Sequence, residues 1–219
     1  MTDNKDLINA AHHRRAIRYY SNKNVTEEDL KTILEVGRFS PSSEGILNWR
    51  IVIINNPEIR QEIKECAWGA QKSLITSKHF FVFIARKDVT MSDQLVIDTF
   101  KKRPGTEDPE VLEKQLKHHD NFQKNDMQIH DKQGIFEWSS KQCYIALGMM
   151  MLAASELGLD TCPIEGFNRK KVDEILVKHK IINPEIEGAT LMMSLGYRDH
   201  DPKRPQYKLS KNDFVKFYN

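Results

Sequence analysis

The chain has 219 residues, 39% of them apolar, and 33 Lys and Arg stand against 31 Asp and Glu for a formal net charge of +2. That length suits one domain and is short for two, the modest apolar share leaves packing for a partner subunit to complete, and the balanced charge excludes a protein built to neutralise many nucleic-acid phosphates. Cys66, Cys143 and Cys162 form neither a zinc signature nor a disulfide framework, and no apolar run reaches the ~18 residues of a membrane span, so a soluble protein of the reducing cytoplasm is expected.

Leu7, Ile8 and Ala11 predict one face of a first helix ending near Arg14, and Ile17-Arg18-Tyr19-Tyr20 is strand-like. Thr26 with Asp29 resembles a capping box opening a helix through Leu30, Ile33 and Leu34 that stops near Gly37. After the loop Ser40-Pro41-Ser42-Ser43-Glu44-Gly45, Arg50-Ile51-Val52-Ile53-Ile54 is a buried strand, residues 58–67 a helix, and Phe80-Phe81-Val82-Phe83-Ile84-Ala85 a second buried strand. Residues 88–132 are charged and helix-forming, with scattered apolar positions such as Leu112, Leu116 and Phe122, as expected of a solvated excursion.

Residues 137–157 form the most apolar helix, nearly encircled by Cys143, Ala146, Leu147, Met150, Met151 and Ala154, so more than one of its faces must be buried. Gly158 ends it, residues 161–167 are expected to be a loop, and Asn168 caps a helix carrying Val172, Ile175 and Leu176. Ala189-Thr190-Leu191-Met192-Met193-Ser194-Leu195 is a last strand, and everything after Gly196 is a polar, charged arm. The expected class is α+β: a small sheet among helices in a single domain over residues 1–219.

Three segments could carry chemistry. His12-His13-Arg14-Arg15-Ala16-Ile17-Arg18 brings guanidinium groups to a helix end, where a phosphate is well received, although a solvated basic turn has the same composition. Ser40-Pro41-Ser42-Ser43, with Trp49 behind it, offers two hydroxyls beside a fixed backbone, or merely a turn. Pro163-Ile164-Glu165-Gly166-Phe167 places a glycine where backbone amides can approach a flat ligand, or merely connects two elements. His12-His13 and His118-His119 make poor chelates, because adjacent side chains point different ways, and no metal site is expected.

The order of Arg14-Arg15-Ala16-Ile17-Arg18-Tyr19-Tyr20, Phe39-Ser40-Pro41-Ser42-Ser43, Asn48-Trp49-Arg50-Ile51-Val52 and the stretch from Gly158 to Phe167 resembles the FMN-dependent nitroreductase family. Its oxygen-insensitive NAD(P)H nitroreductase and dihydropteridine reductase branch is the most similar. The resemblance covers nearly the whole chain. It implies a nitroreductase-like fold with a small antiparallel sheet, a long central helix at the interface of an intertwined homodimer, and FMN sites built from both subunits. Residues 88–132 would form a lid with Phe122 at the mouth, and residues 197–219 an arm over the partner.

Carried over residue by residue, Arg14 and Lys208 would hold the FMN phosphate, Arg15 and Ala16 would add backbone contacts, and Arg18 would lie near the N1/O2 edge of the ring. Pro41, Ser42 and Ser43 of the other subunit would line the ring and ribityl side. Pro163, Ile164, Glu165 and Gly166 would cover one ring face and direct an N–H toward N5, with Gln142 a further candidate. The pyrimidine-edge pair falls near Ala70 and Ser73, or Gln71 if the register slips. Glu165 is the candidate for proton delivery.

The sequence departs from the family at Ala16, where serine is usual, at Gly45 and Leu47-Asn48, and at Gln206, where lysine is common. Lys203 and Arg204 could substitute at the phosphate. The expected function is transfer of hydride from NADH or NADPH to nitroaromatics, quinones, pteridines or flavins. The alternative is an FMN-binding protein of the same fold with a sensor or storage role.

Overall fold

The computed structural model describes residues 4–218. In chain order the elements are α1 (Asn4–His13), α2 (Glu27–Arg38), β1 (Trp49–Ile53), α3 (Pro57–Cys66), α4 (Ser73–Thr76), β2 (His79–Arg86), α5 (Gln94–Phe100), α6 (Pro109–Asn121), α7 (Lys132–Glu156), β3 (Asp160–Ile164), α8 (Arg169–Lys178), β4 (Glu187–Gly196) and α9 (Lys211–Phe214). The strands form one antiparallel sheet in the order β1-β2-β4-β3, so the class is α+β.

β2 is apolar on every residue from Phe80 to Ala85 because both faces of the sheet are covered. Phe80, Val82 and Ile84 pack with Ile63 of α3 and Val172 and Leu176 of α8. Their neighbours Phe81, Phe83 and Ala85 point to the opposite face, onto Ile33 of α2 and Cys143, Ala146 and Met150 of α7. Each phenylalanine so buried contributes about 1.5–3 kcal/mol.

α7 starts five residues earlier than its apolar pattern, because Asp131 accepts the Gly134 N–H (2.7 Å) and caps the polar turn in front. Gly158 follows its end at φ 72°, as expected of a helix terminator. The caps read from sequence are present: Thr26 Oγ1 accepts the Asp29 N–H (3.0 Å) and Asn168 Oδ1 that of Lys171 (3.1 Å). Gly37, expected as a stop, lies inside α2 and serves packing: a Cβ there would fall 2.7 Å from Met150 Sδ.

Four expectations change. Ile17-Arg18-Tyr19-Tyr20 is no strand; its backbone pairs only as isolated bridges, Ala16 to Thr161 beside it and Tyr20 to Arg198. Residues 161–167 are no simple loop, because their first half completes β3 by pairing Thr161, Cys162, Pro163 and Ile164 with β4; the proline is tolerated because β3 is the sheet edge. The first helix hides Ala10 and leaves Leu7 (56%) and Ile8 (55%) exposed. The excursion has its own core: Val89, Val96 and Phe100 pack on Ile46, Ile135 and Trp138, with Leu112, Leu116 and Phe122 against them. Its apolar positions looked scattered because its helices are short and share that cluster.

Among the described residues no helix is long and apolar enough to cross a membrane. The arm after Gly196 leaves Tyr207, Leu209, Phe214, Phe217 and Tyr218 exposed.

Candidate functional site

β3 organises the candidate residues by its two ends. At its start, the Ile17 N–H donates to the Thr161 carbonyl (3.1 Å), which fixes the Arg14–Arg18 segment beside the strand. Arg15 donates to the Arg204 carbonyl (2.5 Å) and Arg18 to that of Ala16 (3.5 Å), while among the described residues none of Arg14, Arg15 and Arg18 has an ion-pair partner. Burial pushes the Cys162 thiol up, while Arg18 and Arg14 pull it down, which places both positive charges along β3.

The arm returns to this end. Gln206 Nε2 donates to the carbonyls of His12 (3.1 Å) and Arg14 (2.9 Å), so the residue standing where the family favours lysine clamps the arm to the basic turn. Lys208 lies two residues further along that stretch and is exposed. Behind it, the buried Asp160 binds Arg198 (2.6 Å), which also meets the His13 ring, so His13 is a structural neighbour of an ion pair.

At the far end of β3, the Gly69 N–H donates to the Gly166 carbonyl (2.7 Å). A Cβ on Gly166 would lie 2.9 Å from the Trp68 ring and 3.0 Å from Gly69 Cα, so only glycine permits this approach. Among the described residues the Gly166 N–H has no acceptor. Glu165 is exposed, and its carboxylate accepts from the Tyr144 hydroxyl (2.5 Å) on α7. Burial, and then the bond to Glu165, keep that phenol protonated well above its ordinary range. Pro163 is half-buried and Ile164 buried.

The third group stands apart. Ser43 donates its N–H to Gln142 Oε1 (3.0 Å), and Ser42 donates its hydroxyl to the Ile46 carbonyl, beside the exposed Pro41. Gln142 and Tyr144 are two residues apart on α7, hence on opposite sides of the helix. One chain therefore brings Arg14, Arg15, Ala16, Arg18, Pro163, Ile164, Glu165 and Gly166 to β3, while Gln142 and the Pro41-Ser42-Ser43 turn bonded to it lie on the side of α7 opposite Tyr144.

Gln71 is exposed and Ser73 is buried. Gln71 Nε2 donates to the carbonyls of Lys64 (2.5 Å) and Ala67 (2.9 Å) at the end of α3, and the Ser73 hydroxyl to that of Ala70 (3.2 Å). These bonds occupy the Gln71 amide nitrogen and the Ser73 hydroxyl proton. Phe122 is half-buried against the excursion core, where its aromatic surface serves packing. Asn48 is buried with its amide on Ser139 Oγ (3.0 Å), a role inside the fold.

Sequence reasoning passed over Trp68 and Tyr144. Trp68 is 80% exposed beside the Gly166 turn, and a tryptophan next to glycine before a short helix was the available signal. Tyr144 is a polar aromatic on an otherwise apolar helix, on the same face as Glu137 and Lys141.

Comparison with known proteins gives the family. The sequence profile of the Nitroreductase family matches residues 11–197. The chain belongs to that family. A Staphylococcus epidermidis protein provisionally named an NAD(P)H nitroreductase is 38% identical over 216 residues, covering 97% of this chain and 96% of that one. A Bacillus subtilis protein, YfkO, provisionally named likewise, is 38% identical over 218 residues, covering 96% of each. Among solved structures, a nitroreductase-type protein of Exiguobacterium sibiricum in complex with FMN superposes with a TM-score of 0.76 at 20% identity, covering 100% of this chain and 98% of that one. At that identity the likeness concerns the fold. The membership agrees with the small antiparallel sheet and the long α7 anticipated from the family resemblance.

Proposed function

We propose that this member of the nitroreductase family is an FMN-dependent oxidoreductase that moves hydride from NADH or NADPH to a small organic acceptor, with the cofactor laid along β3. The observation that carries the reading is the pairing of the two strand ends: guanidinium groups without ion-pair partners at one, and at the other a glycine cradle with a free N–H. Gly166 follows Thr161 by five positions, about 16–17 Å of extended chain, the kind of span a ligand with a phosphate at one end and a flat ring at the other would fill. Thr161 Oγ1, buried without a partner at the basic end, adds an unsatisfied polar atom to the same surface.

In this reading Arg14 and Lys208 bind the phosphate, and the Arg15 and Ala16 backbone adds contacts. Arg18 supplies fixed positive charge at the electron-rich edge of the ring, where preorganised charge stabilises an anion without reorganisation. Pro163, Ile164 and Gly166 cover one ring face. Glu165, held by Tyr144, is placed to deliver the proton that accompanies hydride to the acceptor. FMN supplies the reversible two-electron chemistry, and the protein supplies binding, orientation and charge.

Pro41, Ser42, Ser43 and Gln142 lie on the side of α7 opposite Tyr144 and Glu165, and in this reading they reach the site from a second copy. The outward side of α7, with Tyr144 and Ile145 exposed, and the exposed apolar side chains of the otherwise polar arm are the surfaces that second copy covers. We therefore assign a homodimer with residues 1–219 acting as one domain.

The test is direct. Purified protein should be yellow, bind FMN stoichiometrically and sediment as a dimer, and stopped-flow traces should show bleaching by NADH or NADPH and recovery on adding a quinone or nitroaromatic. Bleaching without recovery for any acceptor would favour the sensor or storage role. A stable monomer with a full complement of flavin would remove the shared site.

A further inference from the structure

The turn carrying Ser42 and Ser43 is braced by the excursion. Glu44 adopts the left-handed conformation (φ 55°, ψ 14°), uncommon for a residue with a side chain, and Gly45 follows at φ 71°. Two residues from the excursion meet Glu44. Arg103 donates to its carbonyl (2.5 Å), and His119 Nδ1 lies 2.5 Å from its Oε2. A carboxylate only accepts, so the histidine is the donor.

His119 is fully buried (0% exposed), with its ring edge-on to Phe100 at 5.7 Å and tilted against Trp138 at 6.1 Å. Its Nε2 has no partner among the described residues. An imidazole with one ring nitrogen unsatisfied in an apolar core is unfavourable, and a leucine would fill the same space without that loss. What the histidine supplies is the bond to Glu44. The neighbouring His118 is exposed, so the pair of adjacent histidines splits into one solvent-facing and one inward-facing residue. On its other side the turn is held by Gln142, which accepts the Ser43 N–H.

We propose that His119 is a positioning residue: its bond to Glu44 holds the Ser42–Gly45 turn in its left-handed shape and so fixes where Ser42 and Ser43 meet the cofactor bound by the neighbouring subunit. The proposal rests on the flavin reading above. It gives residues 88–132 a task beyond covering a cleft, because the core of the excursion sets the shape of a cofactor-facing turn.

The experiment compares His119→Leu with the double variant His119→Leu/Glu44→Gly. Without the donor, the Glu44 side chain loses its anchor and only the backbone bonds to Arg103 and Gln142 oppose relaxation of the left-handed turn, so FMN affinity, titrated into cofactor-free protein by fluorescence, should fall about tenfold. Amide hydrogen exchange at residues 43–46 should quicken in the same cofactor-free protein. Glycine adopts that conformation unaided, so the double variant should return to within about threefold of wild-type affinity. A general loss of stability would not be rescued in this way.

An unchanged dissociation constant in His119→Leu, or a double variant as weak as the single one, overturns the proposal. If circular dichroism shows His119→Leu unfolded, Glu44→Ala against Glu44→Gly gives the same decision: alanine should bind about tenfold more weakly than glycine, and equal affinities overturn it. A wild-type protein that binds no FMN removes the flavin reading instead, and exchange at residues 43–46 still decides whether His119 holds the turn.

Discussion

The two ends of β3 solve opposite problems. At the Asp160 end, Arg14, Arg15 and Arg18 lie within five residues of one another without ion-pair partners among the described residues, and the buried carboxylate of Asp160 is already taken by Arg198. Guanidinium groups so placed can receive an anion. At the Ile164 end the acid, Glu165, already has its partner in Tyr144, and what is left over is a backbone N–H on Gly166. One end is charged and incomplete; the other is nearly neutral and shaped by contact. A ligand with a dianionic tail and a flat, weakly polar head answers both, which neither end would reveal alone.

The contrast can be broken first at the charged end. Arg14→Ala should weaken FMN binding by about 1.5–3 kcal/mol, the scale of a charge-assisted hydrogen bond, and fluorescence of released flavin measures it. An unchanged dissociation constant would take Arg14 out of the phosphate site. At the shaped end, Gly166→Ala drives a methyl group toward the Trp68 ring and the Gly69 backbone. It should lower stability in urea by about 1–3 kcal/mol; a variant as stable as wild type would mean the two backbones are free to part.

Tyr20 sharpens the view of how the basic segment is anchored. Its buried hydroxyl pairs with Ser194 Oγ (2.8 Å), and burial raises its ionisation well above that of a free phenol. A group with a raised value in the fold keeps its full contribution below the unfolded value, about pH 10, and that contribution is lost as pH climbs further. Melting temperature should therefore drop above about pH 10. Tyr20→Phe should cost about 1 kcal/mol at neutral pH and flatten that alkaline fall. An equally steep fall in the variant would assign it to other groups.

The smallest effect on binding is expected at Glu165. Glu165→Gln should leave FMN affinity within about 0.5 kcal/mol, since the backbone of the turn survives, yet slow flavin reduction or reoxidation in stopped-flow traces. Tyr144→Phe should reproduce part of that slowing. Equal rates for wild type and both variants from pH 5 to 8 would confine Glu165 to shaping the turn.

Much of this was readable in advance, and the reasons differ by element. β2 and α7 declared themselves because burial on two faces forces continuous apolar sequence. Thr26, Asn168 and Gly158 did so because caps need particular side chains. β3 was hidden, since Asp160-Thr161-Cys162-Pro163 has little strand character and its ladder is with β4 alone, apart from one bridge to Ala16. The excursion core was hidden because its members come from several short helices and from Ile46, far away in the chain. The roles of Trp68, Tyr144 and His119 were hidden for a shared reason: each acts through a partner more than twenty residues distant, and the local pattern around each residue does not name that partner.

Gly37 has a consequence of the same long-range kind. α2 and α7 touch where a hydrogen atom faces the sulfur of Met150, which is as close as two helices can come there. Three residues later the chain leaves α2 into Ser40 and Pro41, so the clearance at position 37 acts as a gauge block for everything mounted beyond it. A methyl group at 37 would shift α2 outward by a fraction of an ångström, and a close-packed interior hands such a shift on to its neighbours. The turn with Ser42 and Ser43 would inherit the error, making a residue with no side chain the datum from which that turn is levelled.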